Sequence, residues 1–86
     1  MKTIIIMGST SDEPHAKKIT TKLDEYKIPW EQHAASAHKE PLKVLKILEN
    51  NKDNTNIVYV TIAGRSNALS GFVAANSNFP TIGCPP

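Results

Sequence analysis

Three short polar segments hold the residue types that could do chemistry in this 86-residue chain: Gly8-Ser9-Thr10-Ser11-Asp12, Ser36-Ala37-His38-Lys39 and Ala63-Gly64-Arg65-Ser66-Asn67. In the first, Gly8 permits close approach of the backbone. Ser9, Thr10 and Ser11 supply hydroxyls just ahead of a helix whose first amides suit a phosphate. Asp12 would repel a phosphate, so it either accepts hydrogen bonds from sugar hydroxyls or caps the helix, and capping alone accounts for a Ser-Thr-Ser-Asp run at such a place. The Gly-x-x-x-x-Gly-Lys spacing of a P-loop and the Gly-x-Gly-x-x-Gly spacing of a dinucleotide site are both absent, which points to a mononucleotide or a sugar phosphate. In the second segment, His38 places an imidazole able to move protons near pH 7 beside the ammonium group of Lys39. The third contains Arg65, the only arginine, whose planar guanidinium between Gly64 and Ser66 can hold anionic oxygens in a fixed orientation or serve as a plain surface charge. His15 and His33 read as surface residues, and Cys84, in an apolar stretch beside Pro85, as packing.

Each segment follows a stretch that reads as a strand. Thr3 to Met7 is a continuous, mostly β-branched run expected of a strand buried on both faces of a parallel sheet. A helix from Glu13 to Tyr26 follows, capped by Ser11 or Asp12 with Pro14 in its first turn, and Ala16, Ile19, Leu23 and Tyr26 form its buried stripe. Ile28 to Ala35 reads as an edge strand, because Pro29 cannot donate to a ladder. Pro41 opens a second helix with an apolar stripe of Val44, Leu45, Ile47 and Leu48, which ends in the Asn50-Asn51 and Asp53-Asn54 cluster. Ile57 to Ile62 is a second continuous apolar strand. A short helix over Asn67 to Ala75, capped by Ser66 or Asn67, leads to a last strand around Thr81 to Cys84.

This alternation implies an α/β fold, a three-layer α/β/α doubly wound parallel sheet with right-handed crossovers and flavodoxin-like strand order 2-1-3-4. In that order the carboxyl ends of the first three strands are neighbours, so the three polar segments converge on one crevice. The first helix covers one face of the sheet and the other two cover the opposite face. A fold of this kind is completed by a fifth strand and a last helix on the thin side. Residues 1–86 therefore read as a single partial domain, truncated at the C-terminus, with an open apolar face that is an association liability.

Composition narrows the function classes. The ten Lys and Arg against eight Asp and Glu leave a formal charge of +2, with lysines and acidic residues interleaved on the helices, and the five aromatics form no stacking platform, so nucleic-acid binding is not expected. No apolar run approaches the roughly 20 residues of a membrane span or makes a signal peptide, and the expectation is a cytoplasmic location. One cysteine and three scattered histidines assemble neither a disulfide framework nor a metal site.

The same segments resemble the phosphoribosylaminoimidazole carboxylase family of purine biosynthesis, the PurE-type enzymes, in the N-terminal half of the domain. Met7-Gly8-Ser9-Thr10-Ser11-Asp12, Ser36-Ala37-His38-Lys39, and Ala63-Gly64-Arg65-Ser66-Asn67 with Leu69 occur in family order, and Ile82-Gly83-Cys84-Pro85-Pro86 also fits. One class of the family rearranges N5-carboxyaminoimidazole ribonucleotide and typically carries Ala-Ala-His-Leu-Pro-Gly in the third segment, with arginine after the histidine of the second. The other class, including the animal bifunctional enzyme, carboxylates aminoimidazole ribonucleotide directly with CO2, and Arg65-Ser66-Asn67 with Lys39 resembles that class. Ala68 and Glu40 depart from its usual pattern without touching a motif residue.

The resemblance implies that Ser9, Ser11 and Asp12 hold the phosphate and ribose, with Gly8, Ala63 and Gly64 also binding the substrate, that Ser36 and Lys39 lie close to the ligand, that His38 transfers the proton with Lys39 as a second catalytic residue, and that Arg65 and Ser66 lie near the carboxylate or CO2. It implies no cofactor and no metal, a small-molecule substrate, and a homo-octamer. Two alternatives stand beside the direct carboxylase: the N5-carboxyaminoimidazole ribonucleotide mutase, and a non-catalytic nucleotide-phosphate binding module or inactive truncated subunit.

Overall fold

A computed structural model of the chain describes residues 1–54, 56–63 and 68–84. In chain order the elements are β1 (Lys2–Met7), a 3-10 turn (Thr10–Asp12), α1 (Glu13–Glu25), β2 (Trp30–Ala34), α2 (Pro41–Asn51), β3 (Ile57–Ile62), α3 (Ala68–Asn76) and β4 (Thr81–Cys84). The four strands form one parallel sheet in the order β2-β1-β3-β4, the flavodoxin-like order that the alternation of elements implies.

The three isoleucines of β1 are fully buried because successive side chains point to opposite faces of a sheet covered on both sides. Ile4 and Ile6 join Tyr59, Val44, Ile47, Leu48, Leu69 and Val73 in the layer under α2 and α3. Ile5 and Met7 join Val60, Ile62 and Ala16 under α1, with Ile19, Leu23, Ala34 and Cys84 packed against them. Cys84 is thus a packing residue, as read from its apolar setting. On this second face Ile82, paired with Val60 in the register, is 53% exposed, which matches the expected thin cover over β3 and β4.

Two helix stripes differ from the expected ones. Tyr26 is 74% exposed, whereas Thr20 is buried. The helix ends at Glu25 with Tyr26 as its C-cap: Tyr26 N–H still donates to Lys22 O at 3.2 Å, but Ile28 N–H donates to Leu23 O at 2.9 Å and Lys27 N–H to Asp24 O at 3.0 Å, with Lys27 at φ 57°, so the chain turns back at once and Tyr26 is left at the exposed end of the helix. Thr20 can replace it in the stripe because its hydroxyl donates to Lys17 O at 3.1 Å and so enters the core satisfied. In α2 the buried set is Val44, Ile47, Leu48 and Asn51, a spacing of three and four residues that turns Leu45 outward. Asn51 enters because its amide donates to Ile47 O at 2.8 Å and its carbonyl oxygen accepts from Asn54 at 2.8 Å.

The edge strand is two residues shorter at its start than expected. Pro29 stands just outside it, where its carbonyl still accepts Thr3 N–H at 3.0 Å. Along the strand, Glu31 pairs with Lys2 at 2.5 Å and with His33 at 2.6 Å. The Lys2 ammonium, helped by His33 and opposed by burial, holds the Glu31 carboxyl below the ordinary glutamate range.

Lys27 occupies the left-handed conformation that glycine adopts without a Cβ penalty, so Lys27→Gly should raise unfolding stability by up to about 1 kcal/mol in denaturant titration. A carboxyl depressed on folding contributes stability above its unfolded value and loses it as pH falls through the folded value. The slope of stability between about pH 5 and pH 3 should therefore flatten in Glu31→Gln relative to the parent.

Candidate functional site

The carboxyl ends of β2, β1 and β3 are joined through one peptide group. The Met7 carbonyl accepts the Ala35 N–H at 2.7 Å, and the amide on the other side of the same peptide bond, Gly8 N–H, donates to Ile62 O at 2.8 Å. A Cβ added at Gly8 would lie 3.8 Å from the Ala63 Cβ, so the first and third polar segments start side by side. With strands about 4.8 Å apart, the roots of the second and third segments sit about 10 Å from one another across the first. Gly8, Ser36 and Ala63 thus leave the sheet at a common rim, as the strand order requires.

Within the first segment the capping differs from expectation. Ser9 is the cap: its hydroxyl oxygen accepts the Ser11 N–H at 3.2 Å and the Ser11 hydroxyl at 3.0 Å. Asp12 N–H donates to Ser9 O at 3.1 Å, and neither Ser11 nor Asp12 caps α1 with its side chain. The reason is the 3-10 turn inserted between β1 and α1, which moves the capping position back to Ser9. This turn also engages the amides of Ser11 and Asp12, so an anion here meets mainly hydroxyls and not an open helix end. The Ser9 hydroxyl proton and the half-buried Asp12 carboxylate are left to face a ligand.

The second segment is a compact turn built on Ser36. Its hydroxyl accepts the N–H groups of His38 and Lys39, both at 3.2 Å, and its carbonyl accepts Glu40 N–H at 2.8 Å. Pro41 then starts α2, where its missing N–H is no loss. With backbone and Ser36 so engaged, the His38 and Lys39 side chains stand exposed at the rim, a proton carrier and a fixed positive charge side by side. On the outer side of the same strand end, Lys43 Nζ donates to Ala34 O at 2.7 Å, a contact with no signal in the sequence beyond a lysine in the first turn of a helix.

Ala63 follows β3 and is half-buried. Gly64, Arg65 and Ser66, together with Asn67, lie outside the described residues, and so do the two cap candidates of α3. Among the described residues no three His, Cys, Asp or Glu side chains come together as metal ligands, and no helix is long and apolar enough to cross a membrane. A separate groove of about 770 Å³ runs beside α2 against the connection from α3 to β4, between Leu42, Leu45 and Phe79, and none of the three polar segments lines it.

Comparisons with known proteins point to one family. A family model described as AIR carboxylase matches residues 2–86. The phosphoribosylaminoimidazole carboxylase of Archaeoglobus fulgidus is 52% identical over 86 residues, spanning 100% of this chain and 47% of that protein. The bifunctional phosphoribosylaminoimidazole carboxylase/phosphoribosylaminoimidazole succinocarboxamide synthetase of Mus musculus is 41% identical over 86 residues, 99% of this chain and 20% of that protein. The crystal structure of Treponema denticola PurE superposes with a TM-score of 0.94 at 44% identity, covering 99% of this chain and 54% of that one. The chain spans about half the length of the single-function relatives it matches.

Removing the acceptor that organises the second segment tests its construction. Ser36→Ala should destabilise the turn by about 1 kcal/mol, read as faster amide hydrogen exchange at His38 and Lys39 with little change in the strands.

Proposed function

This chain belongs to the AIR carboxylase family, and on that ground we propose that it serves the reversible, ATP-independent carboxylation of 5-aminoimidazole ribonucleotide by CO2 in purine biosynthesis. The observation that carries the reading is the common rim, where a hydroxyl-rich turn and an exposed imidazole stand on adjacent strand ends. Relatives named phosphoribosylaminoimidazole carboxylase, the mouse bifunctional protein among them, support the carboxylase reading, and Arg65-Ser66-Asn67 with Lys39, by family resemblance, favour CO2 as co-substrate over rearrangement of an N5-carboxylated precursor.

In this mechanism the Ser9 hydroxyl donates to the phosphate, the Ser11 hydroxyl joins it by exchanging its bond to Ser9 for one to the ligand, and the Asp12 carboxylate accepts from ribose hydroxyls. Ser36 and Lys39 hold the ligand on the other side, and Arg65 and Ser66, by family resemblance, meet the carboxylate. The exocyclic amino group of the imidazole makes C4 electron-rich and enamine-like. C4 attacks the carbon of CO2, one C=O pair moves onto oxygen, and the C4 proton leaves to the neutral His38 imidazole and then to solvent. In the reverse direction the same group protonates C4 as the C–C bond breaks. The chemistry needs no external electron source, so the protein contributes positioning and proton transfer. A cytoplasmic homo-octamer completes the proposal.

The test is incubation with aminoimidazole ribonucleotide and bicarbonate in the absence of ATP, where the 4-carboxylated ribonucleotide should appear. His38→Asn should lower turnover by about 10²- to 10⁴-fold while calorimetry still detects ribonucleotide binding. Undiminished turnover in that variant overturns the proton-transfer role. Consumption of only the N5-carboxylated ribonucleotide would make the chain a mutase, and binding without turnover at any protein concentration would make it a binding module or inactive subunit.

A further inference from the structure

The Lys43 ammonium group stands at the head of a chain of hydrogen bonds that runs beneath the rim. Lys43 Nζ donates to Ala34 O at 2.7 Å, the N–H of the same Ala34-Ala35 peptide donates to Met7 O at 2.7 Å, and the N–H of the Met7-Gly8 peptide donates to Ile62 O at 2.8 Å. Two peptide groups in series thus connect a lysine on α2 to the ends of β2, β1 and β3. Because a trans peptide directs its N–H and C=O to opposite sides, the inward bond from Ala35 forces Ala34 O onto the outer edge of the sheet. An edge carbonyl has no strand to pair with, and here a cation takes the place of the missing strand. Hydrogen bonds in series polarise one another, and a bond from a charged donor is stronger than one from a neutral donor. The second contact of the ammonium, Glu40 Oε2 at 4.0 Å, is long and exposed, so Ala34 O is its main acceptor.

We propose that Lys43 is a positioning residue, which through this chain sets the height of the Ser36–Lys39 turn, and so of His38, relative to the first and third segments. The proposal rests on the carboxylase reading only for its kinetic consequence. Lys43 reaches the sheet from one helical turn beyond the histidine turn, so it ties both ends of that turn to a common frame: β2 where the turn begins and α2 where it ends. Without the tie, the turn is held at its start by the inward bond of Ala35 and by the burial of the small Ala35 side chain, with no charged contact at this end of the sheet edge. A shift of about 1 Å in a group that must meet a C–H bond costs up to about a hundredfold in rate, with little effect on binding.

The experiment compares Lys43→Met, which keeps the aliphatic stem and removes the donor, with Lys43→Arg, which keeps a donor. In Lys43→Met, amide hydrogen exchange at Ala35 and Gly8 should accelerate at least threefold while the Tyr59 amide, bonded to Pro80 O away from the rim, is unchanged. Lys43→Arg should restore the parent rates. In the carboxylation assay, Lys43→Met should lower kcat about ten- to a hundredfold with KM for the ribonucleotide within about threefold, and Lys43→Arg should recover most of kcat. Unchanged exchange at Ala35 and Gly8, or equal acceleration at Tyr59, overturns the proposal, as does a kcat of Lys43→Met equal to the parent. If the parent protein has no turnover, the carboxylase reading fails on its own, and the exchange rates still decide whether Lys43 holds the rim.

Discussion

The peptide group between Met7 and Gly8 is the constraint on which the rim depends. Its carbonyl binds β2 and its N–H binds β3, and planarity fixes both directions at once. Any displacement of β1 along its axis would break both bonds together and would also move Ile4, Ile5 and Ile6 out of register with the two layers they fill. Burial of about 1.5–3 kcal/mol for each such side chain therefore holds the same peptide that aligns the polar segments. Core packing and site geometry are two consequences of one strand register.

Hydroxyl groups organise the rim locally. Ser9 and Ser36 each follow a strand end and each turn the hydroxyl back onto backbone amides ahead, Ser11 in one case and His38 with Lys39 in the other. This removes competing backbone donors and leaves charged and titratable side chains as the groups that face solvent. An anion at this rim would be held mostly by side chains, a different balance from a P-loop, where backbone amides do most of the holding. It also explains how a carboxylate such as Asp12 is accommodated: it is released from capping and can accept from neutral hydroxyls.

The corrections to the helix stripes share one cause. Periodicity identifies the apolar positions of a helix but not where the helix stops or which polar residues can enter the core satisfied. Tyr26 fits the period of α1 but lies past its end, because Lys27 adopts a left-handed conformation that its residue type does not announce. Thr20 and Asn51 are polar, and each enters the core by bonding a carbonyl of the preceding helical turn. The Ser9 cap is hidden in the same way, since a 3-10 turn and the first turn of an α-helix draw on the same residues.

From the sequence alone came the strand and helix order, the parallel arrangement, the division of the helices between the two faces, and the meeting of the Ser9, Ser36 and Ala63 segments. All of these follow from hydrophobic runs and from the handedness of crossovers, which are properties of short stretches and of topology. The tertiary structure decided what depends on the path of the backbone between elements: that Ser9 caps instead of Asp12, that Ser36 holds the His38 turn, and that Lys43 reaches Ala34. A hydrogen bond from a side chain to a carbonyl nine residues earlier leaves no trace in composition or period, because it exists only once a strand edge and a helix have been brought side by side.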